Sequence, residues 1–224
     1  MSEFVALIPV YRRLENLERL CDSFFNSNPP GQMVLITDDG DDPRDVEEAL
    51  GEFKDLVRIF GSGDKETWAQ KIQIGYLNTA EPFMFYGADD ITFAADWWRD
   101  PLRMLHAGYV VVGTNDMHNP RVIVGQHATH FFVSRAYVTE EGATVDGPGW
   151  AAPTVYRHCY ADDEIIQLAT ARHRWGPCLT SMVPHHHWLW GEAPNDPVYM
   201  IGDSAMKADH ETYLTRIPKI RELA

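Results

Sequence analysis

Cysteine is scarce in this 224-residue chain: three in all, Cys21, Cys159 and Cys178, odd in number and widely separated. That usage argues against a disulfide framework or a paired-cysteine zinc motif and suits reduced thiols. Basic residues are few as well. Nineteen lysines and arginines face 33 acidic residues, a formal charge of −14, and so acidic a surface repels a nucleic-acid backbone, which argues against general DNA or RNA binding. No run approaches the ~20 apolar residues of a membrane span, and the first, Phe4 to Val10, is too short for a signal-peptide core and lacks a basic start. A cytoplasmic protein without a membrane span is expected. Also missing are a Walker-type phosphate loop, a Gly-x-Gly-x-x-Gly after the first apolar run, and a Gly-x-Ser-x-Gly elbow, which makes P-loop, dinucleotide and serine-hydrolase chemistry poor candidates. No internal repeat, low-complexity segment or linker divides the chain, so one domain is expected.

What is present is a folded composition, 45% apolar and 23% charged, with alternating strand and helix patterns. Phe4 to Ile8 is a continuous apolar run closed by Pro9, the mark of a buried strand. Leu14, Leu17, Leu20, Cys21, Phe24 and Phe25 recur at helical steps before the Asn28-Pro29-Pro30-Gly31 turn. Met33 to Ile36 reads as a second strand, and Pro43 opens a second helix running to about Phe53. Leu56 to Phe60 and Phe83 to Tyr86 are two more strands, separated by a Gly61-Ser62-Gly63 turn and a helix over Glu66 to Asn78. This order predicts an α/β fold with a mostly parallel sheet flanked by helices, whose ligands gather beyond the carboxyl ends of the strands. Later in the chain the pattern predicts helices over Ala95–His106, Ala136–Glu141 and Asp163–His173. It predicts strands over Tyr109–Gly113, Arg121–Val124, Thr129–Val133 and Leu179–Val183, and helix-like stretches in the tail from Asp203.

Four groups could carry chemistry. Asp89-Asp90 follows a strand of Phe and Met, and adjacent carboxylates in apolar surroundings repel unless a cation or hydrogen bonds neutralise them. Oxygen ligation of that kind suits Mg²⁺ or Mn²⁺, while a helix cap is the plainer explanation. In His185-His186-His187 the alternation of an extended segment aims His185 and His187 together, compatible with a mixed nitrogen and oxygen metal site or a zinc hydrolase centre. Asp162-Asp163-Glu164 opens a helix, where carboxylates cap free amides or, facing a cleft, serve as a general base. Arg12, Arg13, Lys65 and Lys71 are the few cations near the first loops, suited to a phosphorylated ligand. Among the aromatics, Trp150 in a Gly/Pro-rich loop and Trp188 beside the histidines are expected to meet a ligand, the others to pack.

The order of these marks resembles the family 2 glycosyltransferases of the GT-A fold over roughly residues 4 to 190: strand then Pro9-Val10-Tyr11, strand then Asp38-Asp39-Gly40, strand then Asp89-Asp90, a later acidic pair opening a helix, and a late histidine. The resemblance implies a donor site in which Pro9, Val10 and Tyr11 line the base pocket and Asp38 or Asp39 bonds a uracil ring. Asp89-Asp90 matches the family's Asp-x-Asp motif, with Gly87 at its first position. By the same resemblance, Asp89 and Asp90 share the metal and donor contacts, His185 or His187 is the late histidine ligand, and Arg13 and Lys71 face the donor. Asp162-Asp163 stands where the family has Glu-Asp, with Asp163 the base; Trp150, from its loop, is expected to stack on the acceptor. The implied activity is metal-dependent (Mn²⁺ or Mg²⁺) inverting transfer of a hexose from a UDP-sugar to an acceptor hydroxyl. Residues 1–90 would be the nucleotide half, 91–202 the acceptor and metal half, and 203–224 a tail. The compact length is similar to that of small bacterial and bacteriophage members, which implies a host-cytoplasm location if the gene is a phage's. A nucleotidyltransferase and a non-catalytic nucleotide- or sugar-binding module stay open as alternatives.

Overall fold

The first apolar run forms β1 (Phe4–Pro9), every residue of it buried. Its side chains alternate between two cores: Val5 and Leu7 on one face, Phe4, Ala6 and Ile8 on the other. A strand buried on both faces needs apolar residues at every position, which is why the run shows no polar alternation. The computed structural model describes residues 2–38, 41–61 and 65–223, apart from the side chains of residues 201 and 203.

β2 (Gly31–Thr37), β3 (Val57–Gly61) and β4 (Phe83–Tyr86) run parallel to β1, which lies between β2 and β4. β5 (Val111–Asn115) and β7 (Trp175–Met182) run parallel to each other, and β6 (Phe131–Ser134) pairs antiparallel with both β4 and β5. The seven strands follow the order β3-β2-β1-β4-β6-β5-β7. The chain thus winds from β1 outward to β3 and then crosses to β4 on the other side of β1. A crevice opens where the winding reverses, beyond the carboxyl ends of β1 and β4. The residues there are Val10 to Arg13 and Gly87 to Asp90.

One face of the sheet is covered by α1 (Leu17–Asn26), α2 (Pro43–Leu50) and α4 (Arg99–His106), with Phe4, Phe85, Phe132 and Trp97 at its centre. The opposite face carries α3 (Trp68–Leu77), α6 (Arg135–Glu140), α7 (Ala161–Ala171) and part of α8 (Pro197–Glu222). The start of α3 is fixed by a capping box: Gln70 N–H donates to Thr67 Oγ1 at 3.3 Å and Thr67 N–H to Gln70 Oε1 at 2.7 Å. A Cβ on Gly75 would come within 2.7 Å of Leu7, so glycine lets α3 lie directly on β1. Lys71, one turn in, is thereby brought to the carboxyl ends of β1 and β2.

The expected elements form with a few corrections. Arg121 to Val124 is no strand: Asn119 Oδ1 accepts the Arg121 N–H at 3.0 Å and Pro120 takes the first position of a short helix, α5 (Pro120–Ile123). Here an Asn-Pro start overrides the strand preference of Val122 and Ile123. The helix expected from Ala95 begins only at Arg99, after a turn in which Asp96 takes a left-handed φ of 58°. The tail is one helix from Pro197, capped by Asp196 rather than starting near Asp203. The Gly61-Ser62-Gly63 turn falls largely outside the described residues. Among those residues, no helix is long and apolar enough to cross a membrane.

Candidate active site

A cleft of about 600 Å³ lies over the switch point, bounded by the loops after β1 and β4, the segment before β6, the start of α7, the histidine run and the first turns of α8. A second concavity of about 400 Å³, between Leu14 and Phe53, is lined by Glu15, Glu18, Glu48 and Glu52 and has no acid–base pair or cation.

At one end of the cleft, Pro9, Val10, Tyr11 and Lys71 form the wall. Arg12 takes a left-handed backbone and its N–H donates to Asp41 Oδ1 at 3.0 Å, turning the chain so that Tyr11 and Arg13 face the cleft. The Tyr11 ring has the Lys65 and Lys71 ammonium groups 5.2 and 5.7 Å from its centre. Lys71 is buried; its Nζ lies 3.0 Å from Asp38 Oδ2 and donates to the Val10 carbonyl at 2.5 Å. Burial pulls its pKa down, against the pull of Asp38. Asp38 also accepts the Glu66 N–H at 3.1 Å and does not line the cleft itself. Its carboxylate therefore ties β2, α3 and the β1 loop together. Asp39 lies outside the described residues.

At the centre are Asp89 and Asp90. Gly87 stands at the first position of the acidic motif because a Cβ there would meet Ile8 Cδ1 at 2.6 Å. Asp89 Oδ2 accepts the Tyr11 N–H at 3.4 Å, and its Oδ1 lies 3.7 Å from Arg13. Burial, and then the neighbouring Asp90, push the Asp89 carboxyl up to about 8. Burial opposes charge on Asp90 too, but His185, Arg13 and His130 outweigh it and hold that carboxyl below its ordinary range. The two neighbouring carboxyls are thus shifted in opposite directions. Asp90 Oδ2 receives the Tyr199 hydroxyl at 2.8 Å and Arg13 Nη1 at 3.3 Å.

The histidine run reaches this centre by zipping along the residues after Asp90: Thr92 N–H donates to Pro184 O at 3.0 Å, His186 N–H to Asp90 O at 2.8 Å, and Ile91 bridges His185. His185 Nε2 ends 3.2 Å from Asp90 Oδ1. The rings of His185 and His187 are 5.1 Å apart, while His186 turns away to Thr92 Oγ1 at 2.9 Å. His187 packs on Tyr199 and its Nδ1 accepts the Leu189 N–H at 3.2 Å. Burial, then the His185 charge, push the His187 ring down to about 4. Asp90, His130 and His185 each offer one ligand atom within 4.8 Å of the others. Asp90 Oδ1 and His130 Nδ1 are buried with no hydrogen-bond partner. An oxygen and two imidazole nitrogens so placed fit a divalent cation.

The acidic pair lies at the far wall. Tyr160, in a left-handed conformation, precedes α7, and Asp162 and Asp163 occupy its first turn. Asp162 Oδ1 accepts the Asp163 N–H at 2.9 Å and its Oδ2 faces His127 Nε2 at 3.0 Å. Burial opposes the Asp162 charge, but His127 holds its pKa down. Asp163 points to the cleft, 2.5 Å from Arg121 and 3.9 Å from His127 Nδ1. Burial and Asp162 raise its pKa despite Arg121. One carboxylate is committed as cap and ion pair, and the other is more basic than usual and reachable, as a general base requires.

Sequence reasoning placed Pro9, Val10, Tyr11, Arg13, Lys71, Asp89, Asp90, Asp162, Asp163, His185 and His187 here, and all line the cleft. Trp150 does not. Its loop is drawn onto α3, where Gln73 Nε2 donates to Gly149 O at 3.0 Å and Ala151 N–H donates to Gln73 Oε1 at 2.8 Å, away from the cleft. Trp188 does not line it either; Trp68 does, its Nε1 donating to Gly87 O at 3.0 Å. Missed were Arg121, His127, His130, Asp196 and Tyr199. His127-x-x-His130 leading into the buried Phe131-Phe132-Val133 was a usable signal. Asp196 gave none, because its bidentate pairing with Arg13, at 2.8 and 3.0 Å, joins residues 183 positions apart.

A mixed sheet with its cleft at this switch point, acidic residues after β4 and an acid pair opening a late helix is the GT-A glycosyltransferase architecture. The chain belongs to glycosyl transferase family 2, whose profile matches residues 5–159. No curated protein sequence matches it significantly. Among solved structures, the mannosyltransferase PcManGT from Pyrobaculum calidifontis, in complex with GDP-Man and Mn²⁺, is similar over 99% of this chain and 73% of its own, at 13% identity and a TM-score of 0.66. S. aureus TarS 1-349 in complex with UDP is similar over 81% of this chain and 59% of its own, at 11% identity and a TM-score of 0.63.

Proposed function

We propose that the protein is an inverting, divalent-metal-dependent glycosyltransferase that moves a hexose from a UDP-sugar to an acceptor hydroxyl. The observation that carries this reading is one cleft holding, on one side, an ionised Asp90 beside two imidazoles and, on the other, the basic Asp163. The solved relatives with GDP-Man and Mn²⁺ or with UDP support a nucleotide-sugar donor. Family membership disfavours the nucleotidyltransferase alternative.

In this reading the amino half supplies the nucleotide end, with Tyr11 against the base and Lys71 and Asp38 fixing the loops that hold it. Asp90 and His185 would hold the cation, which when bound would offset the charge that builds on the departing diphosphate. Arg13, stacked on Tyr199 at 3.6 Å, keeps a second positive charge beside that group. Asp163 takes the acceptor's proton as its oxygen forms a bond to the anomeric carbon and the bond from that carbon to the diphosphate oxygen breaks. A single displacement inverts the configuration. The acceptor enters the half formed by residues 91–202, and the reaction belongs in the cytoplasm, of a host cell if the gene is a phage's.

Thermal unfolding with UDP and Mn²⁺ tests the donor site. A ligand at about a hundred times its Kd stabilises by roughly 2.7 kcal/mol, a shift of roughly 5–10 °C for a chain of this size. The shift is expected only with both present, and its absence, or a shift with another nucleotide alone, overturns the UDP assignment. Arg121→Gln tests the base. Because Arg121 lowers the Asp163 pKa and the base works ionised, its removal raises that pKa further. The acidic limb of the kcat/KM profile is expected to move to higher pH, and an unmoved limb excludes Asp163 as the titrating base.

A further inference from the structure

Asp90 is held by one oxygen only. Its Oδ2 receives both donors, the Tyr199 hydroxyl at 2.8 Å and Arg13 Nη1 at 3.3 Å. Its Oδ1 receives none, although it is buried. His185 Nε2 faces Oδ1 at 3.2 Å, and the two groups are paired electrostatically. Across from it stands His130, 3% exposed, its ring perpendicular to that of His185 with centres 4.8 Å apart. His130 Nδ1 has no partner either. The backbone at His130 is fixed, since Thr114 gives its carbonyl two hydrogen bonds, from N–H at 3.0 Å and Oγ1 at 2.8 Å. The ring is therefore held where it is by the strand beginning at Phe131.

Leaving one buried polar atom unpaired costs about 1–3 kcal/mol. Asp90, His130 and His185 each place one ligand atom within 4.8 Å of the others, and a shared partner would satisfy all three together. Two ligands at right angles around one ion, each about 2.1 Å away, lie about 3 Å apart, and the Asp90–His185 approach of 3.2 Å has that spacing. We propose that His130 is a third protein ligand of the divalent cation, beside Asp90 and His185, making a two-imidazole, one-carboxylate site that takes Mn²⁺ in preference to Mg²⁺. This rests on the reading above only for the presence of a cation. It also chooses between the histidine candidates: His187 Nδ1 accepts the Leu189 N–H, which leaves the ring proton on Nε2.

The selectivity follows from ligand chemistry. Mg²⁺ prefers oxygen and gives up its water reluctantly, whereas Mn²⁺ and the later divalent ions accept imidazole nitrogen. A site with a single histidine would discriminate less than one with two.

Mn²⁺ binding to the full chain, without nucleotide, tests this by electron paramagnetic resonance. The wild type is expected to bind one Mn²⁺, with pulsed spectra showing couplings to two imidazole nitrogens, and to hold it against about a hundredfold excess of Mg²⁺. His130→Ala and the more conservative His130→Gln are expected to lose about tenfold or more in Mn²⁺ affinity and to show one imidazole coupling. Circular dichroism and melting in the presence of EDTA check that both variants fold. A wild-type spectrum with one imidazole nitrogen overturns the proposal whatever the variants do, and so does wild-type affinity in both folded variants. Nucleotide binding by a wild type that takes up no Mn²⁺ would remove the cation site and leave the glycosyltransferase reading standing. Tight Mn²⁺ binding with two nitrogens and no nucleotide affinity would do the reverse.

Discussion

Asp163→Asn is expected to lower transfer roughly 10²–10⁴-fold, the range a positioned general base contributes, while leaving the combined UDP and Mn²⁺ thermal shift unchanged. The amide keeps the size of the side chain and an oxygen for Arg121, which lies 2.5 Å from Asp163. What it removes is a carboxylate that burial and Asp162 have made more basic than usual and that faces the cleft. Asp162→Asn separates the two acids. Its carboxylate accepts the Asp163 N–H in the first turn of α7 and faces the buried His127 ring, so the change weakens that turn and takes away the His127 carboxylate partner. Like charge on Asp162 also keeps the Asp163 pKa up, so its loss lowers that pKa and moves the acidic limb to lower pH. Full turnover by Asp163→Asn, or a larger loss in Asp162→Asn than in Asp163→Asn, would assign the base to Asp162 instead.

The first half of the molecule was legible because its signals are local. A strand buried on both faces reads as Phe4-Val5-Ala6-Leu7-Ile8, and each carboxyl end carries its own mark within four residues. Parallel winding puts those ends on one edge of the sheet, so Tyr11, Asp89 and Asp90 had to come near each other once the alternation was recognised. The later elements were harder. Val122-Ile123-Val124 has strand composition, yet Asn119-Pro120 decides the local backbone and makes a helical turn.

The rest of the site depends on contacts that no short window holds. His130 meets His185, and His127 meets Asp162, only because β6 returns antiparallel between β4 and β5 and aims the segment before it at the cleft. Trp150 is the opposite case, a local signal whose residue lies outside the cleft. An aromatic ring in a Gly/Pro-rich loop suggested a ligand contact, but Gln73 on α3 has both ends of its amide on that loop and holds it elsewhere.

Tyr199 and Asp196 show that α8 is part of the site's construction, and a buried ionic knot attaches that helix to α7. Glu164, the residue after Asp163, is fully buried and accepts from Arg216 at 2.6 and 2.8 Å, from the Tyr156 hydroxyl at 2.8 Å and from Val145 N–H at 3.1 Å. Arg216 reaches on to Asp146 at 2.6 and 3.1 Å. Two turns earlier on α8, Asp209 accepts the N–H groups of Arg157, His158 and Cys159, which line the cleft beside Asp162. Glu164→Ala strips the guanidinium of its buried counter-charge and leaves a hydroxyl and an amide without their acceptor.

Breaking a buried pair in this way costs about 3–5 kcal/mol, and at roughly 2–4 °C per kcal/mol for a chain of this size the melting temperature is expected to fall by about 6–20 °C. Asp146→Ala is expected to cost much less, because Asp146 is partly exposed and water replaces it. Differential scanning calorimetry of the two variants makes the comparison. Equal melting temperatures would mean that the desolvation of Glu164 and Arg216 cancels their attraction, so that α8 is held by its other contacts, among them Tyr213, Ile220, Asp209 and the Asp196–Arg13 and Tyr199–Asp90 bonds. A large loss for Glu164→Ala alone would locate the attachment of α8 one residue from Asp163, the proposed base, so that the helix carrying Tyr199 and capped by Asp196 and the turn carrying Asp163 are placed by the same buried charge.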